Sequence, residues 1–211
     1  HRDLHLSLRR QRQMCIRDSL HIDISGSMED AIRVAKKVAP LIAEMVSNPE
    51  ENFRWGVFNV YHKVLPLPDE FVEDAFAQIL FGIRPCGATD CFALYPEARK
   101  FGADVDIFIT ELVEGHNMGN LTQKIKDYKD KPKACVIIDC WCDYPGFGRG
   151  NQLEIAYKDN GIPVSILDYK TVTNSALVME AIKVAMKGQM AIIEEIMNTP
   201  LLTLPEWYYA I

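Results

Sequence analysis

The sequence predicts an α/β protein: a doubly wound, mainly parallel six-stranded sheet with one antiparallel edge strand and helices on both faces. Three observations predict it. Short apolar runs alternate with amphipathic stretches along the chain, the order of strands joined by crossover helices. Two of the runs, 105–110 (VDIFIT) and 134–140 (ACVIIDC), are apolar almost throughout, as strands covered on both faces are. Two further strand-like runs, 53–60 and 63–67, are separated by Tyr61 and His62 alone. So short a connection makes a hairpin, and a hairpin pairs antiparallel.

Each element follows from its residues. Residues 20–24 (LHIDI) read as the first strand. In 28–46 the apolar positions Ile32, Ala35, Val38, Ala39, Ile42 and Met45 recur at helical spacing. Pro40 inside that run predicts a kink or a local break, and Ser47-Asn48-Pro49 ends it. The run 53–60 (FRWGVFNV) is aromatic and β-branched, and Pro66 demotes its partner 63–67 to the sheet edge. Residues 69–80 place Phe71, Ala75, Phe76 and Ile79 on one helical face. Pro85-Cys86-Gly87-Ala88 is a loop, and 90–101 is the next helix. After the strand 105–110 come a glycine-containing loop at 114–120, a helix at 121–129 and the strand 134–140. A Gly- and aromatic-rich loop (141–150) leads to a short helix at 152–159, stopped at Gly161, and to a last strand at 164–168. A long helix (175–197) and a tail carrying Trp207, Tyr208 and Tyr209 complete the chain. The domain is expected to span 20–197, with 1–19 outside it and 198–211 as a C-terminal tail.

Composition narrows the function. At 211 residues, 48% hydrophobic and 25% charged, the chain has material for one real core. No apolar run is long enough to span a membrane, so no membrane partner is expected. Residues 1–19 carry five Arg against two Asp, whereas the chain as a whole is at −6. The domain proper is therefore acidic, which disfavours a phosphate-binding face. The basic head resembles translated adapter read-through, notably at Arg9 to Ser19, and the chain reads as a fragment. Six cysteines, with no signal peptide ahead of them, suggest reduced thiols and a cytoplasmic setting. Cys86, Cys91, Cys140 and Cys142 lack zinc-knuckle spacing, and buried thiols are the better reading.

The chemistry gathers at three strand ends. Asp23-Ile24-Ser25-Gly26-Ser27 places a carboxylate and two hydroxyls on a strand-to-helix turn. Thr89-Asp90 lies in the loop Gly87-Ala88-Thr89-Asp90, and Thr110-Glu111 closes the strand 105–110. In a doubly wound sheet such loops converge at the switch in strand order. Their donors are all hard oxygens, which suit a magnesium-class cation. Each piece also has a plainer reading, since Ser27 and Thr89 are suitable helix caps.

In these residues the chain resembles the von Willebrand factor A domain family and its metal-ion-dependent adhesion site. The likeness rests on D-I-S-G-S, on the Thr of G-A-T-D-C, and on an acid after F-I-T. The stretches L-H-I-D-I-S-G-S-M and V-D-I-F-I-T are similar to the Ro autoantigen (TROVE-module) branch. The resemblance implies a von Willebrand A, Rossmann-like fold. It also implies a divalent cation, Mg2+ first and Mn2+ second, held by Asp23, Ser25, Ser27, Thr89 and Glu111. That cation would accept an acidic residue of a protein partner. The domain would be a non-enzymatic part of a ribonucleoprotein, reaching small noncoding RNA only through a missing N-terminal helical-repeat domain. The family usually has Asp where this chain has Glu111, and the longer side chain shifts the carboxylate. A second possibility is a magnesium-dependent phosphohydrolase or phosphotransferase using Asp23 as nucleophile. No lysine near Asp23 supports it, since Lys36 and Lys37 lie inside the helix, and no Ser-His-Asp set is apparent in the sequence. His62 and His116 read as loop residues. Trp141, Tyr144 and Phe147 read either as a partner surface or as an ordinary packed loop.

Overall fold

A computed structural model describes residues 17–91, 93, 95–112, 121–140 and 152–169. The predicted architecture is present. Strand β1 (Asp18–Asp23) is followed by α1 (Glu29–Met45), the one-turn helix α2 (Pro49–Asn52), and the hairpin β2 (Phe53–Phe58) and β3 (His62–Val64). Then come α3 (Glu73–Ile79), α4 (Tyr95–Phe101), β4 (Val105–Thr110), α5 (Leu121–Asp127), β5 (Ala134–Asp139), α6 (Gln152–Asp159) and β6 (Val164–Asp168). The sheet order is β3-β2-β1-β4-β5-β6. Only the β2–β3 pair is antiparallel, and β3 is the edge.

Alternation along the strands divides the core. Leu20, Ile22, Val105, Ile107, Ile109, Val136 and Ile138 face one way, against Ala35, Val38 and Ile42 of α1 and Phe76 of α3. Phe58, Phe108, Cys135 and Ile137 face the other way, against Tyr95, Leu121, Ile125, Leu153 and Tyr157 of α4, α5 and α6. Every residue of β1, β4 and β5 is buried, as strands covered on both faces are; β4 and β5 are correspondingly apolar, whereas β1 buries Asp18, Ser19, His21 and Asp23. The described thiols follow the same logic: Cys91, Cys135 and Cys140 are buried, Cys86 is exposed, and none of the four is in a disulfide.

Several expectations shift. Pro40 neither breaks nor ends its helix: α1 runs continuously past it, with Pro40 buried on the core face. The lost amide bond is outweighed by packing of a nine-residue apolar face. β1 begins at Asp18 rather than at residue 20, since Asp18 pairs with both Phe53 and Val105. The helix predicted over 69–80 is formed only at Glu73–Ile79, and that over 90–101 only at Tyr95–Phe101. The predicted features at 114–120, 141–150 and 175–197, with His116, Trp141, Tyr144, Phe147 and the tail aromatics, lie outside the described residues.

Candidate functional site

The switch in strand order falls between β1 and β4, because β2 follows β1 on one side and β4 returns on the other. At that switch the parallel register sets Ile22 against Ile109 and brings the next residues, Asp23 and Thr110, together. Thr110 Oγ1 donates to Asp23 Oδ2 at 2.8 Å. Asp23 Oδ1 accepts the Ser25 amide at 2.8 Å. This second contact closes the turn after β1 and turns the chain toward α1.

Asp23 is fully buried. Burial raises its pKa to about 6, against the lowering effect of the Ser25 amide and the Thr110 hydroxyl, and neighbouring Glu111 adds to the rise. The Ser25 hydroxyl also moderates the shift, yet Ser25 Oγ is buried and has no hydrogen-bond partner among the described residues. An unpaired buried hydroxyl costs on the order of 1–3 kcal/mol, so this atom asks for a partner.

Ser27 does not cap the helix. Met28 occupies the cap position and no side chain caps α1. The Ser27 hydroxyl donates instead to Glu111 Oε1, joining the exit of β1 to the exit of β4. Glu111 is nine-tenths buried or more. The next residue, Leu112, is left-handed at φ 57°, a conformation a bulky side chain adopts only under constraint. The Thr110 hydroxyl accepts the Leu112 amide at 3.3 Å and helps hold that turn.

The third loop arrives by backbone stapling. Cys86 N donates to Ile24 O at 2.8 Å and Gly26 N donates to Gly87 O at 3.0 Å. Asn59, after β2, donates from Nδ2 to Cys86 O at 2.8 Å, and its carbonyl accepts the Asp90 amide at 3.0 Å. Gly87 is left-handed, at φ +79°, and a Cβ there would stand 3.4 Å from Asn59 Nδ2, so a side chain is strained at this crossing. Thr89 is carried into the loop cluster and is itself buried. It is no helix cap, because α4 begins six residues later at Tyr95.

Thus the five residues Asp23, Ser25, Ser27, Thr89 and Glu111 all lie on one loop cluster at the switch point. Asp23, Ser25, Ser27 and Glu111 are tied into it by their own contacts, Thr89 through the backbone contacts of its neighbours Gly87 and Asp90. Thr110, named in the sequence with Glu111 at the third strand end, supports the cluster through Asp23. One supporting residue, Asn59, is not signalled there, because its role is to bridge segments distant in the chain. The field here is acidic: after burial, Asp139, Asp30, Asp23 and Glu111 each push the Cys140 thiol upward. Among the described residues no group of three or more His, Cys, Asp or Glu is placed to hold a metal. The cluster instead combines two carboxylates with hydroxyls. Hard-oxygen chemistry and the unpartnered Ser25 hydroxyl both fit a magnesium-class ion.

A second polar cluster lies further down the same strands. Asp106, in mid-β4 and fully buried, accepts Ser19 Oγ, Arg99 Nη2 and Tyr157 OH, each at 2.7 Å. His21 Nε2 is 2.9 Å from Ser19 Oγ and 3.8 Å from Asp106 Oδ1. Ser, His and Asp therefore do meet, contrary to the sequence reading. Their order is not that of a nucleophilic triad, in which the carboxylate orients the imidazole and the imidazole takes the serine proton. Here the serine donates directly to the carboxylate, and His21 Nδ1 has no partner among the described residues.

No protein-family model matches the chain, and no curated protein matches it. Among solved structures, a similar fold occurs in the PilB minor pilin of Streptococcus sanguinis, at 12% identity and a TM-score of 0.54, over 83% of this chain and 64% of that one. A point mutant of the same pilin matches at 11% identity and a TM-score of 0.48, over 80% of this chain and 62% of that one. The chain thus spans less than two thirds of those pilin chains, and the likeness is one of fold. These findings overturn the resemblance to the von Willebrand factor A family and its Ro/TROVE branch, together with the adhesion-site name, the ribonucleoprotein setting and the link to RNA. The physical reason is that the resemblance rested on a few turn residues. Asp, Ser, Thr and Gly recur at strand-to-helix turns for backbone reasons of their own.

Proposed function

We propose that the loop cluster at the β1–β4 switch binds a divalent cation of the magnesium class and uses it to capture a carboxylate from a protein partner. Ser25, Ser27 and Thr89 would supply hydroxyl oxygens, and Asp23 and Glu111 the negative charge. The observation that carries this reading is the buried, unpartnered Ser25 hydroxyl beside two carboxylates with no cation among the described residues to balance them. Hydroxyl ligands neutralise little of a metal's charge, so a bound ion stays attractive to an incoming acid. The chain's own acidic field would otherwise repel that partner.

The module is proposed to perform no chemistry of its own. Both Asp23 oxygens are engaged, by the Ser25 amide and the Thr110 hydroxyl, and the residue is fully buried. A carboxylate so placed is poorly presented as a nucleophile for phosphoryl transfer.

Calorimetric titration with magnesium and manganese tests the proposal. The wild type is expected to take up one ion. Ser25→Ala is expected to lose most of that affinity, and Glu111→Asp to alter the preference between the two metals. Absence of heat and of any thermal shift in the wild type would refute the cation site. A soluble acidic peptide that bound equally well in EDTA would refute its role in capture.

A further inference from the structure

We infer that the open edge of the sheet, strand β3, is a docking site for an extended acidic segment of a protein partner, which adds to it as a further antiparallel strand. β3 ends the sheet order, and its three residues, His62, Lys63 and Val64, are all exposed. The hydrogen bonds around it fix which of its backbone groups are already in use. Leu65 N donates to Trp55 O and Asn59 N donates to Tyr61 O, each at 2.9 Å. Bonded pairs alternate along an antiparallel ladder, so the bonded pair between these two is Val57 with Lys63, its register partner. His62 and Val64, opposite Phe58 and Gly56, therefore turn their N–H and C=O groups away from β2. No described strand lies on that side. Strand addition uses such a row of outward groups.

The two faces of that edge differ. Residues directly opposite each other on paired strands share a face of the sheet. Val64 and Gly56 both line a cavity of about 250 Å3 between this end of the sheet and α4. Val64 is also 44% exposed, so the wall of the cavity reaches the free edge. A partner residue set opposite Val64 falls on the cavity side, where an apolar side chain covers Val64. The next partner residue falls on the other face, beside Lys63.

Charge selects the occupant. Lys63 on the strand and Arg54 in the cavity lining make no ion pair among the described residues, whereas Lys100 is already paired with Glu97 at 2.7 Å. The edge is thus locally basic in a chain whose net charge is −6. A second copy of the chain fits it poorly. Two β3 strands joined through all their outward groups set Lys63 against Lys63, and like charges directly opposite are destabilising. An acidic residue in that place turns the same lysine into an attraction. The partner segment therefore alternates, apolar toward the cavity and acidic toward Lys63.

The probe is the blocked peptide acetyl-Thr-Val-Glu-Val-Thr-amide, titrated into the isotope-labelled full chain and followed by amide chemical shifts. EDTA is present, so that the loop cluster at the switch point plays no part. Saturable shifts are expected at His62, Lys63 and Val64. Replacing the peptide's Glu by Lys is expected to weaken binding about fivefold, and Lys63→Glu is expected to reverse the preference between the two peptides. Val64→Pro removes one outward donor and no bond to β2, as an edge strand tolerates. It is expected to abolish binding with tryptophan fluorescence unchanged. Lys63→Glu keeps the assignment falsifiable if Val64→Pro does not fold. Absence of saturable shifts in the wild type, shifts centred away from β3, or an unchanged peptide preference in Lys63→Glu would each overturn the assignment. A dimer in solution that excluded the peptide would also overturn it, putting a second copy in the partner's place. None of these outcomes bears on the cation site.

Discussion

Two carboxylates on neighbouring strands, Asp23 and Asp106, are both fully buried and have opposite electrostatics. Burial raises both. At Asp106 the rise is overcome by His21, Arg99 and Ser19, and the carboxyl lies below the usual range. At Asp23 the hydrogen bonds do not suffice, Glu111 makes matters worse, and the pKa stands near 6. Asp106 carries its counter-charge within the fold, in Arg99 at 2.7 Å. Asp23 has no cation beside it among the described residues. A buried acid with its own arginine is a structural joint, whereas one held charged at a loop cluster beside an orphan hydroxyl is half of a binding site.

The joint should be the more fragile of the two. Arg99→Met leaves Asp106 buried without its cation and is expected to cost about 3–5 kcal/mol of stability. Urea denaturation measures it, and the double variant Arg99→Met with Asp106→Asn should recover most of the loss. If the single variant were nearly silent, Asp106 would not be the anchored charge described here.

The binding half should respond in the opposite direction. With a folded pKa of about 6 against an ordinary 3.8, Asp23 resists ionising in the fold. The protein without metal is therefore more stable below the ordinary Asp range and loses stability as pH rises from about 4 through about 6. At roughly 1.4 kcal/mol per unit, Asp23→Asn is expected to stabilise the metal-free protein by about 2–3 kcal/mol at pH 7 and to make little difference at pH 4. The same variant should abolish stabilisation by magnesium. A destabilised Asp23→Asn in EDTA at pH 7 would mean that its hydrogen bonds outweigh its buried charge.

Asp18 extends the comparison to the other end of β1. Both its oxygens are buried without partners among the described residues, and burial, with Asp104 and Asp106 nearby, holds its pKa well up. Its folded form keeps its proton longer than the unfolded chain does, so stability again falls as pH rises above the ordinary Asp range. Asp18→Val suits a β-strand and is expected to add about 1–2 kcal/mol near neutral pH. Thermal melts at pH 4 and pH 7 should show the gain growing with pH.

The smallest effect belongs to Ser27→Ala. It removes the bond to Glu111 from a side chain exposed to solvent and should cost no more than about 1 kcal/mol in EDTA. Its effect on magnesium titration should be larger than its effect on stability. The reverse ranking would make Ser27 a clamp between β1 and β4 rather than a ligand.

What was legible in the sequence was whatever repeats locally. Apolar alternation and helical spacing are set by one face of each element meeting the core, so Val105–Thr110, Gln152–Asp159 and Val164–Asp168 were delimited to the residue. The antiparallel edge was legible too, because so short a connection leaves the chain no other pairing, although the connection is Asn59 to Tyr61 and His62, read as a loop residue, opens β3. The oxygen-rich turn Asp23 to Ser27, and its company with Thr89 and Glu111, could be read because strand ends in such a sheet must converge.

What only the tertiary structure decided depends on register and on partners far apart in the chain. Whether Ser27 caps α1 or reaches Glu111 is a matter of β1–β4 registry, not of propensity. Asn59 is an ordinary polar residue until the loop before Thr89 folds against it. Ser19, His21 and Asp106 meet because the parallel β1–β4 register sets Ser19 directly against Asp106. The sequence determined the architecture and the kind of atoms at the switch point. The fold decided which of two buried acids is already neutralised, because electrostatic balance is set by distance in space.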